Sequence, residues 1–176
     1  MAIAWTNTSS ASGSTVNDSG DGNWTLAASN GSLGMWYVCN AAGGSTAVTI
    51  NGGGANWYGL HLIEASGNLT SSCLDTTGNG SATNVTPTAT TGTLSHADLL
   101  IFGAGTANNV TSTPPSGETV LQTIVGAFNL NSFSVYNNLL ASSGTPTMKT
   151  TLSSSVAWNS AIGAFKLASS YSPTFR

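Results

Sequence analysis

The sequence predicts an all-β protein: a two-sheet antiparallel β-sandwich, jelly-roll-like, in one domain covering residues 1–176. Three observations lead there. No segment sustains an i, i+3, i+4 apolar pattern built from good helix formers. Short runs rich in β-branched and aromatic residues recur throughout, divided by Gly, Ser, Asn and Pro. At 176 residues the chain is long enough to bury one real core. A parallel β-helix would share the taste for Gly, Asn, Ser and Thr, but it needs a regular short repeat, and none is present.

About ten strands are expected on these signals. They lie near Ile3–Asn7, Asn23–Ala28, Met35–Asn40, Thr46–Ile50, Tyr58–Ala65, Leu99–Gly103, Thr119–Asn129, Ser132–Asn138, Thr147–Leu152 and Trp158–Leu167. In the last of these, alternation puts Trp158, Ile162 and Ala164 on one face and Phe165 and Leu167 on the other. ETVLQTIVGAF carries apolar residues on both faces, which predicts a strand buried on both sides. NSFSVYNNL has one apolar and one polar face, which predicts a strand with one wet side. Ser66–Leu94 and Ala107–Gly117 are polar and poor in apolar residues, and are expected to be loops at the ends or edge of the sandwich.

Composition narrows the function. Hydrophobic residues make up 40% of the chain but charged residues only 5%, against roughly 25% in ordinary soluble domains. The surface must therefore be Ser, Thr, Asn and Gly, hydrated but nearly neutral. Copies can pack side by side with little charge repulsion. The three basic residues are Lys149, Lys166 and Arg176. Nucleic acid, which needs several phosphate contacts, is excluded as a partner, and so is attraction to an anionic membrane surface. MAIAWTNTSS has neither the basic nor the apolar region of a signal peptide, and no apolar run approaches a membrane span. A soluble chain made in a cytosol is the expectation. Cys39, in the apolar run MWYVC, and Cys73, in the polar SSCLD, are equally compatible with a disulfide and with two separate thiols.

Three stretches resemble a known group: HLIEASG, then SHADLLIFGAG, then ASSGTPTMKTTLSSSVAWNSAIGAFK. In this order they resemble jelly-roll proteins of tailed-phage virions. There an E-x-S-G strand end precedes a Thr/Ser-rich loop and an A-D-L strand. A W-x-x-x-hydrophobic-x-A-F-K strand closes the sheet. Laminin-G and concanavalin-like sandwiches are similar in general pattern. The resemblance covers roughly Tyr58 to Lys166 and rests on core-strand patterns, not on chemistry. It implies a non-enzymatic protein of the virion surface, such as a capsid decoration protein or a fibre or tail module. Its partners would be copies of itself, forming a homo-oligomer and by analogy a trimer, and other virion proteins. A lectin-like module that binds carbohydrate, host glycans included, is the alternative.

Catalysis finds little support in the residues. A glycosidase needs two facing carboxylates, yet Glu64, Asp75, Asp98 and Glu118 are scattered, and Glu64 reads as a strand-end carboxylate satisfied locally. The run 95-SHAD-98 holds Ser, His and Asp, but known triads draw their members from separate elements. The plain reading is a loop with Asp98 capping a turn. His61, mid-strand, reads as a packed histidine.

Aromatic residues crowd the first third. Trp24, Trp36, Trp57 and Tyr58 are the candidates for a sugar-stacking or interface surface, although tryptophans in a sandwich are more often core. Trp57, after the NGGGAN turn, is the best placed for exposure. NDSGDGNWT holds Asp18 and Asp21 among glycines. It matches a calcium loop loosely, but the twelfth position is Ala28, so the bidentate glutamate is missing. Asp21-Gly22 is a strong hairpin signal. A turn is the expectation and a calcium site the lesser alternative; no other cofactor is predicted.

Overall fold

The computed structural model describes residues 1–7, 11–44, 47–52, 59–125, 131–139 and 143–169. In chain order its elements begin with β1 (Ala2–Asn7), a 3₁₀ turn at Ala11–Gly13, β2 (Ser14–Asp18), β3 (Gly22–Asn23) and β4 (Thr25–Asn30). There follow β5 (Leu33–Val38), β6 (Val48–Gly52), β7 (Gly59–Glu64), β8 (Leu74–Asn84), β9 (Thr88–Thr90) and β10 (Asp98–Thr106). The remainder are β11 (Ser112–Thr113), β12 (Thr119–Val125), β13 (Asn131–Leu139), β14 (Thr147–Lys149), β15 (Thr151–Leu152) and β16 (Val156–Lys166). Among the described residues there is no α-helix, and no helix long and apolar enough to cross a membrane.

The protein is thus all-β and its strand pairs are antiparallel. Among the described residues the strands divide among five sheets, where the sequence predicts two. A four-stranded sheet, β4-β5-β1-β7, faces a five-stranded one, β12-β13-β10-β16-β8. Alternation explains how each sheet serves two cores. Leu33 and Met35 on β5 and Ile63 on β7 meet Leu99, Ile101, Ala161 and Phe165 between the two large sheets. Tyr37 and Phe165 cross this interface edge to face, with ring centroids 5.7 Å apart. The opposite side chains of β10 and β16, Leu100, Phe102, Trp158, Ile162 and Ala164, form a second core. The ribbons β14-β9 and β11-β15 contribute Ala89, Met148 and Leu152 to it. Beyond the four-stranded sheet, the small sheet β3-β2-β6 closes a third core around Val16, Trp24 and Trp36. Being central and covered on both faces, β10 is buried at every position. The two faces predicted for the last strand fall in these two cores as expected.

The clearest departure is β8. The predicted loop Ser66–Leu94 contains this eleven-residue strand and β9. Its sequence LDTTGNGSATN lacks the apolar alternation by which strands are recognised. Two glycines show why. A Cβ on Gly78 would strike the carbonyl oxygen of Thr90, and one on Gly80 that of Thr88. β9 crosses so closely that its backbone occupies the space where side chains would stand. β2 was missed for a related reason, since STVND is mostly polar although Ser14, Val16 and Asp18 are all buried. The predicted strand Thr119–Asn129 is seen as far as Val125, and its remainder lies outside the described residues.

Cys39 and Cys73 form a disulfide, with Cα atoms 5.5 Å apart. One lies just after β5 and the other just before β8, so the bond joins the two large sheets.

Candidate functional site

In a chain with six acidic and three basic residues, ionisable groups gathering at one place are informative. Asp75, Asp98, His96 and Lys166 gather at the end of the five-stranded sheet, with Ser95 among them. Register explains part of this. Asp98 opens β10 and pairs directly with Lys166 at the end of β16, so the two share a face. Asp75 arrives through a bulge. β8 pairs Leu74 with Phe165 and Thr76 with Ala164, leaving Asp75 as the extra residue. A bulge breaks the alternation and re-aims the side chain. The disulfide at Cys73 anchors the chain two residues before it.

Ser95 N–H donates to Asp75 Oδ2 at 2.6 Å, and the Ser95 hydroxyl donates to Asp75 Oδ1. Ser95 Oγ also lies 2.7 Å from His96 Nδ1. Lys166 Nζ is 4.0 Å from Asp75 Oδ1. Burial alone would raise the Asp75 carboxyl. The two Ser95 donors, Asp98 and Lys166 outweigh it and hold the group below the ordinary carboxylate range. Asp98 goes the other way. Burial, then the neighbouring Asp75, push it up to about 7, against the opposing pull of Lys166. Asp98 is fully buried, and the hydrogen bond between its carboxyl and Asp75 raises the one group and lowers the other. Two carboxyls driven apart in this way set an acid beside a base.

The sequence reading of 95-SHAD-98 is therefore corrected in two respects. Asp98 is a buried strand residue and caps no exposed turn. Ser95 and His96 do meet, but the carboxylate they share is Asp75, from another strand. The order also differs from a nucleophilic triad. Here serine stands between carboxylate and imidazole, with its proton directed at a carboxylate held below its usual range.

The other predicted residues lie elsewhere. Trp24 and Trp36 are 8% and 2% exposed and pack in the third core, with the Trp36 ring lying across Gly34. Neither presents a ring face to solvent. Trp57 and Tyr58 lie outside the described residues. Asp18 and Asp21 hold a hairpin together. β2 pairs with β3, and Gly22 takes a φ of 70° that favours glycine. Asp18 Oδ1 accepts from the N–H groups of Gly20 and Asp21, and Oδ2 accepts from Trp24 Nε1 at 2.8 Å. The Asp21 carboxylate accepts from Ala42 N–H. These oxygens are engaged by N–H donors, as a turn requires, and among the described residues no three His, Cys, Asp or Glu side chains are grouped to hold a metal. Glu64 is exposed on β7.

His61 is buried in β7 at 1% exposure, and burial lowers its pKa to about 4 from an ordinary 6.5. The unfolded chain thus takes up a proton that the folded chain refuses. Stability is intact above pH 6.5 and is lost as pH falls through 4, by on the order of 3 kcal/mol. Asp98 acts in the opposite sense over the same window. Its pKa is raised in the fold, so its contribution is present at low pH and lost as pH rises through about 7. Comparing His61→Leu with the parent at each pH cancels the Asp98 contribution. The variant should gain relative to the parent by about 3 kcal/mol between pH 7.5 and 4 in urea unfolding. A constant difference between the two proteins across that range would refute the assignment.

Comparison of the chain with models of protein families, with curated proteins and with solved structures found no match.

Proposed function

We propose that this is a non-enzymatic structural protein of the virion surface, a capsid decoration protein or a fibre or tail module, that works by assembling with copies of itself and with neighbouring virion proteins. In this reading the two large sheets are the jelly-roll-like sandwich, and the small sheets are additions to its outer faces. The observation that carries the proposal is the near absence of surface charge. The exposed residues of β8 are Asn79, Ser81, Ala82, Thr83 and Asn84, and the exposed large apolar side chains among the described residues are Leu26, Leu62, Val85 and Val120. Such a surface can be buried against another with little desolvation of charge. The sequence resemblance points to the same setting. A single cross-sheet disulfide and the lack of basic residues before Lys149 suit a protein exposed to proteases.

Light scattering on the purified chain over a range of concentrations tests this. The expected result is a stable assembly of chains, with three as the number the virion analogy suggests. A monomer at every concentration would overturn self-assembly. If that monomer also bound glycans and lost them on Trp57→Ala, the lectin reading would take its place.

A further inference from the structure

We propose that Asp75 and Lys166 are the two ends of an amide cross-link that the folded chain forms on itself, with Ser95 as the oxyanion donor and Asp98 as the proton carrier. This goes beyond the assembly reading and does not depend on it. Four placements support it. Lys166 Nζ already lies 4.0 Å from Asp75 Oδ1, and both side chains are largely covered, at 18% and 7% exposure. The two residues sit on neighbouring strands fixed by a ladder of ten residue pairs and, at the start of β8, by the disulfide. Both carboxylate oxygens of Asp75 already accept hydrogen bonds from Ser95. Those donors remain in place for the oxygen that becomes negative when Cγ is attacked. Asp98 is a fully buried carboxyl that shares a hydrogen bond with Asp75. A buried carboxyl beside a carboxylate is costly to ionise, so it favours the protonated form, which can donate. Burial and Asp75 together push it up to about 7, so it holds that proton in mildly acidic solution.

The chemistry balances without any co-reactant. The ammonium of Lys166 gives a proton to the Asp75 carboxylate, leaving an amine and a carboxylic acid. The amine lone pair attacks Cγ of Asp75, and an N–C bond forms while the carbonyl π pair moves to oxygen. Asp98 passes its proton to the departing hydroxyl and takes one from the nitrogen. The C–O bond breaks, water leaves, and Asp98 is regenerated. Overall an ammonium and a carboxylate become an amide and one water. In open solution this equilibrium gives little amide. Holding the groups together supplies an effective concentration on the order of 10⁵ M or more, provided the approach is well aligned.

Intact mass under denaturing, reducing conditions decides the matter. The full chain, folded and then incubated between pH 5 and 7, is expected to be lighter than its sequence by one water. Trypsin should then leave the bond after Lys166 uncut and keep residues 1–149 joined to 150–176. Lys166→Arg and Asp98→Asn should each retain full mass while giving the parent's circular dichroism. Either of two results would overturn the proposal. One is a folded parent of full mass. The other is a water loss that persists in Lys166→Arg, which would place the dehydration elsewhere, for instance at Asp21-Gly22.

Discussion

Reducing the Cys39–Cys73 disulfide, or replacing both cysteines with serine, is expected to cost the fold about 4 kcal/mol. The bond spans 34 residues, and the chain entropy restored to an unfolded loop of that size gives about this figure. For a domain of this length the loss corresponds to a fall in melting temperature on the order of 10 °C. The structure adds a local reason for a large effect. Cys73 is fully buried in the core between the two large sheets, and the bond joins a residue beside β5 to one beside β8. Without it, the start of β8 depends on the bulged end of its ladder with β16. Urea unfolding with and without a reductant measures the difference directly. Equal stability in the two conditions would mean that the bond constrains neither state.

Gly78→Ala should be nearly as damaging, at about 3 kcal/mol or more, although it adds a single methyl group. The new atom would strike the Thr90 carbonyl oxygen, which is backbone and cannot swing aside. Relief requires lifting β9 from β8, which also disturbs Ala89 and the core beneath it. Gly43→Ala is the control, since nothing lies within 4 Å of its added Cβ; it should leave stability unchanged or raise it by a few tenths of a kcal/mol. If both variants melt together, the close crossing of β8 and β9 does not exist in solution.

These two sites also show where sequence reading succeeds and stops. β5, β10 and β16 are legible because they separate or straddle apolar cores, and MWYV, LLIF and AWNSAIGAF record that directly. β8 is illegible because its packing is backbone against backbone. The residue that permits such packing is glycine, which the usual signals assign to turns. The division into extra small sheets follows the same logic, since β2, β9 and β11 are short and largely polar. Trp24 and Trp36 carried an open choice between core and surface, and burial under β2 and β6 depends on contacts that no local pattern records. The cluster around Asp75 was hidden for a different reason. Asp98 and Lys166 are brought opposite each other by sheet order, and Asp75 is turned toward them by a bulge. One signal was available. Asp98 and Lys166 fall on the same alternation face as Leu100 and Ile162, where a charge needs a partner.

The placement of β16 between β8 and β10 governs how the chain must be made. During synthesis β8 and β10 emerge long before the strand that separates them. Neither can complete its ladder until the ribosome has passed Lys166. The largely apolar run of β10, which β13 can pair on one edge only, then waits with its other edge open in a chain with almost no charge to keep copies apart. Pairing between such distant segments is slow to nucleate. Yield from expression should therefore depend on the rate of synthesis and on temperature more steeply than the stability of the finished fold would suggest.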